Sequence, residues 1–319
     1  PRDLAPDKNI WYCVFSMSNE PFWHFVHLSD PHLSSAHDGV WNSRFLCTMM
    51  PDLMARLGED LRALRPEFLL VTGDIVSVKT REGMLAARDG LEALGIPYYP
   101  LGGNHDFVLP ESREWFLEAF AHRLPERNTF YGFEHRNLRF HVLDAWWEWS
   151  GGELRPVPQD KSADEMDEDL KGLHWGIPED QLVWLENRLS RPFAGWDVVA
   201  VHYPAMRVPD RLRFEGFRDG GRLVNGAGLL ALMNRFSRAR AVFSGHVHVH
   251  FAETVGHVTQ VTTGSLPEYP SEYRVVRVFE DRMEAVATPL SDPSFAARSF
   301  LPGRELTAGQ PQDRSVVIP

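Results

Sequence analysis

Five short pieces of this chain carry residue types that hold metal ions and move protons. They are Asp30-Pro31-His32, Gly73-Asp74, Gly102-Gly103-Asn104-His105-Asp106, His202 and Gly245-His246-Val247-His248. Together they offer carboxylates, imidazoles and an amide oxygen. That mixture suits Mn, Fe or Zn better than Ca or Mg alone, which prefer all-oxygen shells. Two ions about 3.5–4 Å apart need roughly eight donor positions if one carboxylate is shared. Asp30, His32, Asp74 and His248 can serve one ion, and Asp74, Asn104, His202 and His246 the other. Asp74 is then the bridge, with a hydroxide beside it. The alternation in His246-Val247-His248 would place both imidazoles on one side of an extended chain. Gly73, Gly103 and Gly245 would let the backbone turn tightly next to the ions.

His105 is left free of metal and adjoins the ligand Asn104. It is placed to protonate a departing oxygen as a general acid. Asp106 is expected to hold the His105 ring and raise its pKa. Bound ions would lower the pKa of a bridging water, which supplies a nucleophile near neutral pH.

In this order the five pieces resemble the calcineurin-like metallophosphoesterases, and the likeness spans about residues 22–290. The resemblance implies a four-layer αββα sandwich, two mixed β-sheets flanked by helices, with the dimetal site at the C-terminal ends of strands. It supports the ligand assignments above, and every expected ligand position is filled. Within the family the chain is most similar to bacterial class III cyclic-nucleotide phosphodiesterases. The compact Gly-His-Val-His, a helix over 181–185 and Thr263-Gly264-Ser265 carry that likeness. It implies a small phosphodiester substrate, a cyclic nucleotide first, attacked in line by metal-bound hydroxide. A phosphomonoesterase is the alternative enzyme. A non-catalytic metal-binding scaffold is the alternative of another class, and the complete ligand set with His105 counts against it. A homodimer is compatible with the family.

The elements that must position these residues read as α/β. Short apolar runs at 22–28, 67–72 and 97–101 predict strands. Helical spacing at 53–64 and 84–94 lies between them, and Ser112 is a candidate cap for a helix over 112–121. Strands are predicted at 129–133, 138–143, 198–201, 241–243, 246–253, 258–262 and 274–279, and helices at 178–189 and 229–236. Residues 1–290 form one phosphoesterase domain in this reading, with insertions at about 145–176 and 203–228. Residues 291–319 read as an extended tail.

Composition excludes other classes. The 319 residues carry a formal net charge of −11, against the basic face that nucleic-acid polymers or anionic membranes require. No apolar run of spanning length occurs, so no membrane span is expected. Cys13 and Cys47 are the only cysteines, which points to a reducing, cytoplasmic setting.

Single residues have bland readings too. His250 continues the alternation of His246 and His248 but is read as structural, since the donors are already supplied. His27 is read as a strand residue with a hydrogen-bond partner, His24 lies near it, and His37 is a weak candidate for touching substrate. Trp146, Trp147 and Trp149 read first as packing, and second as an aromatic wall for a base or lipid-like group. Arg207, Arg211, Arg213 and Arg218 read first as a solvated loop and second as a phosphate clamp. The acidic run at 164–169 reads as a solvated face.

Overall fold

Strands buried on both faces read as near-continuous apolar runs, and such runs form the centre of this molecule. A computed structural model describes residues 20–35, 37–155 and 175–319. The acidic run at 164–169, most of the 145–176 insertion and Cys13 lie outside these residues.

In chain order the strands are β1 (Trp23–Leu28), β2 (Gly39–Val40), β3 (Arg44–Phe45), β4 (Leu69–Thr72), β5 (Tyr98–Leu101), β6 (Tyr131–His135), β7 (Leu138–Leu143), β8 (Glu148–Ser150), β9 (Glu153–Arg155), β10 (Trp196–Val201), β11 (Ala239–Ser244), β12 (Phe251–Val255), β13 (Val258–Thr262), β14 (Glu272–Val278), β15 (Met283–Pro289) and β16 (Ser315–Ile318). One sheet runs β16-β15-β14-β1-β4-β5, parallel across β1, β4 and β5 and antiparallel from β1 through β14 and β15 to β16. The other runs β12-β13-β11-β10-β7-β6, parallel from β13 to β7 and antiparallel at both edges. Phe25 of β1 meets Phe140 of β7 and Phe243 of β11 edge to face, with ring centroids 5.5 and 5.8 Å apart. These contacts join the two sheets face to face.

Helices cover the outer faces because each carries one apolar stripe. In the helix Met50–Leu64, Leu53, Leu57 and Leu61 are buried. In the helix Arg81–Glu92, Met84, Ala87 and Leu91 are buried, and the Thr80 side chain caps it by accepting from Gly83 N. The fold is thus two mixed sheets flanked by helices. No helix among the described residues is long and apolar enough to cross a membrane.

Three local expectations need correction. Ser112 is the first residue of the helix Ser112–Phe120 and not its cap; its hydroxyl accepts from Leu109 N, closing the preceding turn. The strand expected over 246–253 starts only at Phe251. Residues beyond 290 fold into helices at Ser294–Ser299 and Pro311–Arg314 and then strand β16, which pairs with β15, instead of forming an extended tail.

His27 sits wholly buried between the sheets, with Nε2 2.8 Å from Thr72 Oγ1 and Nδ1 2.8 Å from Thr263 Oγ1. Burial, then the Arg274 charge, hold its pKa down to about 3 against an ordinary 6.5. The unfolded chain therefore binds this proton below pH 6.5 while the folded one does not. The stability His27 contributes is full above pH 6.5 and falls as pH drops toward 3. Between pH 7 and 5 the advantage of the native protein over His27→Gln should shrink by about 2 kcal/mol. Urea unfolding of the two proteins across that range measures it, and an unchanged difference would show that the folded chain takes up this proton as readily as the unfolded one.

Candidate metal centre

The five motif pieces sit where parallel strands end and chain directions open. Asp30 and His32 follow β1, Asp74 follows β4, Asn104 follows β5, His202 follows β10, and His246 and His248 follow β11. Cross-loop backbone bonds fix the pieces: Asp30 N donates to Gly73 O at 3.1 Å, His32 N to Asp74 O at 3.0 Å, and Gly245 N to His202 O at 3.0 Å.

Asp30, His32, Asp74, His246 and His248 all adopt positive φ, of 47°, 44°, 46°, 69° and 54°. Such conformations cost about 1–3 kcal/mol each in a non-glycine residue and persist only where the surroundings hold them. The extended His246-Val247-His248 segment expected from sequence is therefore replaced by two left-handed residues, and this kinked backbone aims both rings inward. Close approach explains two glycines. A Cβ at Gly103 would collide with the Asp74 carboxylate, and one at Gly245 with the Ser29 hydroxyl.

The kinked loops bring the donors together. One donor atom each from Asp30, His32, Asp74 and His248 lie within 4.8 Å of one another, as do those from Asp74, His202 and His246. Asp74 is common to both groups. Asn104 Oδ1 lies 3.1 Å from His202 Nε2, next to the second group. All seven residues are buried.

Hydrogen bonds select which nitrogen each imidazole presents. His202 Nδ1 donates to Thr72 O at 2.8 Å, which leaves Nε2 3.3 Å from Asp74. His246 Nε2 donates to Gly220 O at 2.6 Å, which leaves Nδ1. His248 Nδ1 donates to Glu268 Oε2 at 2.6 Å, which leaves Nε2 3.3 Å from Asp30. His246 Nδ1 and both nitrogens of His32 are buried without a hydrogen-bond partner among the described residues. Orphaned buried nitrogens are costly. His32 Nε2 lies 3.8 Å from Asp74 Oδ2, and His246 belongs to the second group around the same carboxylate, so the donor set fits a pair of cations.

The charges agree. Burial opposes ionisation of His202, yet the charge and hydrogen bond of Asp74 outweigh it and push the pKa up to about 9. Burial likewise opposes His248, and the bonds to Asp30 and Glu268 push it up to about 10. Burial, then the His202 charge, hold His246 down to about 3. Asp30 and Asp74 stay ionised below the usual carboxylate range, their histidine neighbours outweighing burial. The buried carboxylates thus favour positive charge at the neighbouring imidazoles, the kind of charge that metal cations would supply.

Asp106 differs from its expected role. Its carboxylate accepts from Ile75 N and Val76 N at 3.0 Å and from Gly103 N at 2.8 Å. It therefore ties the loop after β4 to the loop after β5 and is not the partner of the His105 ring. His105 donates its backbone N–H to Asp74 Oδ1 at 2.9 Å, and its ring lies 4.8 Å from that of His32.

The site floors a cavity of about 360 Å³, walled by Val40, Trp41 and Phe45 of the β2–β3 hairpin together with Ser77, Lys79 and His105. Sequence reasoning missed this hairpin, because nothing local ties 39–45 to residues some two hundred positions away. It also missed the wholly buried Glu268. Its nearest signal was the Thr263-Gly264-Ser265 run, which supports the first loop: Thr263 bonds His27, and Ser265 Oγ donates to Asp30 O at 2.8 Å.

Other candidates fall outside the cavity lining. Trp146 stacks on Trp175 at 4.1 Å and is buried, Trp147 lies under Arg113, and Trp149 is exposed; none of the three lines the cavity. Arg207 pairs with Asp210, Arg211 with Glu253 and Asp313, Arg213 with Asp219, and Arg218 lies over Trp41. His250 is wholly buried beside Glu272, a structural position, and His24 bonds Leu64 O. His37 is exposed.

Fold and donors together define a candidate two-cation centre on an α/β sandwich. The chain belongs to the calcineurin-like phosphoesterase family, whose profile matches residues 24–250. It is similar to a glycerophosphodiester phosphodiesterase, GpdQ, of Enterobacter lignolyticus, 28% identical over 242 residues that cover 76% of each chain. It is also similar to a probable cyclic nucleotide phosphodiesterase of Synechococcus, 26% identical over 247 residues that cover 74% of this chain and 80% of that one. Among solved structures, a dimetal phosphatase from Danio rerio shares the fold with a TM-score of 0.66 at 17% identity, covering 86% of this chain and 98% of its own.

Proposed function

We propose that this metallophosphoesterase hydrolyses a small phosphodiester. The observation that carries the reading is the pair of donor groups sharing Asp74 on the floor of an apolar-walled cavity. Asp30, His32, Asp74 and His248 would hold one ion, and Asp74, Asn104, His202 and His246 the other. Mn, Fe and Zn all suit this set. Such a pair supplies a water acidic enough to deprotonate near neutral pH and charge to neutralise phosphoryl oxygens.

The chain's own residues do the rest. Thr72 O, Gly220 O and Glu268 fix the tautomers of His202, His246 and His248. Asp106 locks the loops that carry Asp74 and Asn104. His105 lines the cavity, and its Nδ1 is buried without a hydrogen-bond partner among the described residues. It is the residue placed to deliver a proton to the leaving oxygen.

Two features favour a diester over a monoester. Val40, Trp41 and Phe45 give a second ester group apolar surface to lie on. Lys79 is the one cationic lysine or arginine among the described lining residues, modest provision for a monoester dianion. The phosphodiesterase names of the relatives point the same way. Metal-stripped protein given bis-p-nitrophenyl phosphate or p-nitrophenyl phosphate, with and without Mn²⁺, tests the reading. Metal-dependent turnover that prefers the diester is expected. Preference for the monoester would make the protein a phosphatase, and metal bound without turnover of either ester would favour a scaffold.

A further inference from the structure

Glu268 is wholly buried, and each of its carboxylate oxygens has a different employer. Oε2 accepts from His248 Nδ1 at 2.6 Å. Oε1 accepts from the backbone N–H of Ser43, in the turn between β2 and β3. One side chain therefore grips a candidate ligand and the hairpin that walls the cavity. The neighbouring residue repeats the link, since Leu46 N donates to Pro267 O at 2.9 Å. The hairpin in turn covers the ligand: the Phe45 ring stacks on the His248 ring with centroids 5.6 Å apart and planes 6° apart. Phe45 also meets His32 edge on at 4.6 Å.

We infer that Glu268 is a positioning residue that sets His248 for its cation and, through the same carboxylate, seats the β2–β3 hairpin on the site. This rests on the dimetal reading given above. A carboxylate behind a ligating imidazole fixes the tautomer and raises the basicity of the other nitrogen, and losing such a partner costs about 10–100-fold in metal affinity. Its second oxygen gives the residue a further consequence. Two N–H groups converge on two acceptor oxygens, so an amide in place of the carboxylate turns one acceptor into a donor. Glu268→Gln must set an N–H either against the Ser43 N–H or against His248 Nδ1, and the second arrangement is satisfied only by the tautomer that protonates the ligating Nε2. Metal affinity and substrate fit are therefore coupled at this one position, although Glu268 is not among the residues that line the cavity.

The test is Mn²⁺ titration of metal-stripped wild type, Glu268→Gln and Glu268→Ala by calorimetry, with thermal unfolding as a check on folding. The expected result is two sites in the wild type, of which one weakens about 10–100-fold in the variants while the other is retained. At saturating Mn²⁺, KM for bis-p-nitrophenyl phosphate should rise more than kcat falls, because the hairpin wall has lost its seat. Folded variants that bind Mn²⁺ at both sites like the wild type would overturn the inference. Equal weakening of both sites would overturn it as well, since that is the mark of a general structural loss. Wild-type protein that binds two Mn²⁺ yet turns over no ester would sink the phosphodiesterase reading alone, because the titration does not depend on catalysis.

Discussion

Asp74→Ala is expected to abolish turnover and to reduce bound metal below two ions per chain. Among the described residues Asp74 alone is common to both donor groups, so its loss would remove a candidate ligand from each ion at once. The effect should exceed the roughly 10–100-fold cost of losing an outer-shell partner. Its carboxylate also accepts from His105 N and balances the charge on His202. Asp74→Asn, which keeps the shape and one acceptor, separates loss of charge from loss of fold. Metal analysis of the purified variants, beside their hydrolysis rates, measures both effects. Full activity with full metal content in either variant would refute the bridging role. Asn104→Ala should be milder for metal content, because it removes a donor from one group only.

His105→Ala should behave differently: metal content stays, and turnover falls by about 10²–10⁴-fold for substrates with poor leaving groups. The direction follows from where the ring sits. It lines the cavity, belongs to neither donor group, and reaches the site through its backbone bond to Asp74. A p-nitrophenolate leaves without needing a proton, so that substrate should lose much less. Comparing an alkyl with a p-nitrophenyl ester in the same variant isolates the proton transfer. Equal slowing of both would assign His105 to binding instead. Because Asp106 is spent on three backbone amides, Asp106→Asn should not copy the leaving-group dependence of His105→Ala.

The convergence of the seven candidate residues was legible because metal chemistry draws on few residue types at the ends of strands, and apolar runs reveal strand ends. The sheets were legible for the same reason, since β1, β4, β7 and β10 are buried along almost their whole length. Backbone hand was not legible. The alternation in His246-Val247-His248 predicts an extended chain by periodicity alone, and the left-handed φ that replaces it is imposed by neighbours distant in sequence, Asp30 accepting from His246 N among them. The partner of Asp106 was misjudged because adjacency to His105 is a one-dimensional fact, whereas the amides of Ile75 and Val76 reach it only after β4 and β5 pair. Glu268 and the β2–β3 hairpin were invisible for a related reason. Their meaning lies in a contact across more than two hundred residues. For Trp146 the first reading, packing, holds: its ring stacks on Trp175.

The hairpin that walls the cavity is fastened from far along the chain. Ser43 Oγ donates to Ser299 O at 2.6 Å and accepts from Leu301 N at 3.1 Å. A ribosome delivers residues in order, so every candidate ligand, the last being His248, has emerged before the clasp on Ser43 exists. The donors of the site are thus encoded ahead of the segment that fastens its wall. The order of the chain therefore separates the residues that would hold cations from the residues that close the cavity over them.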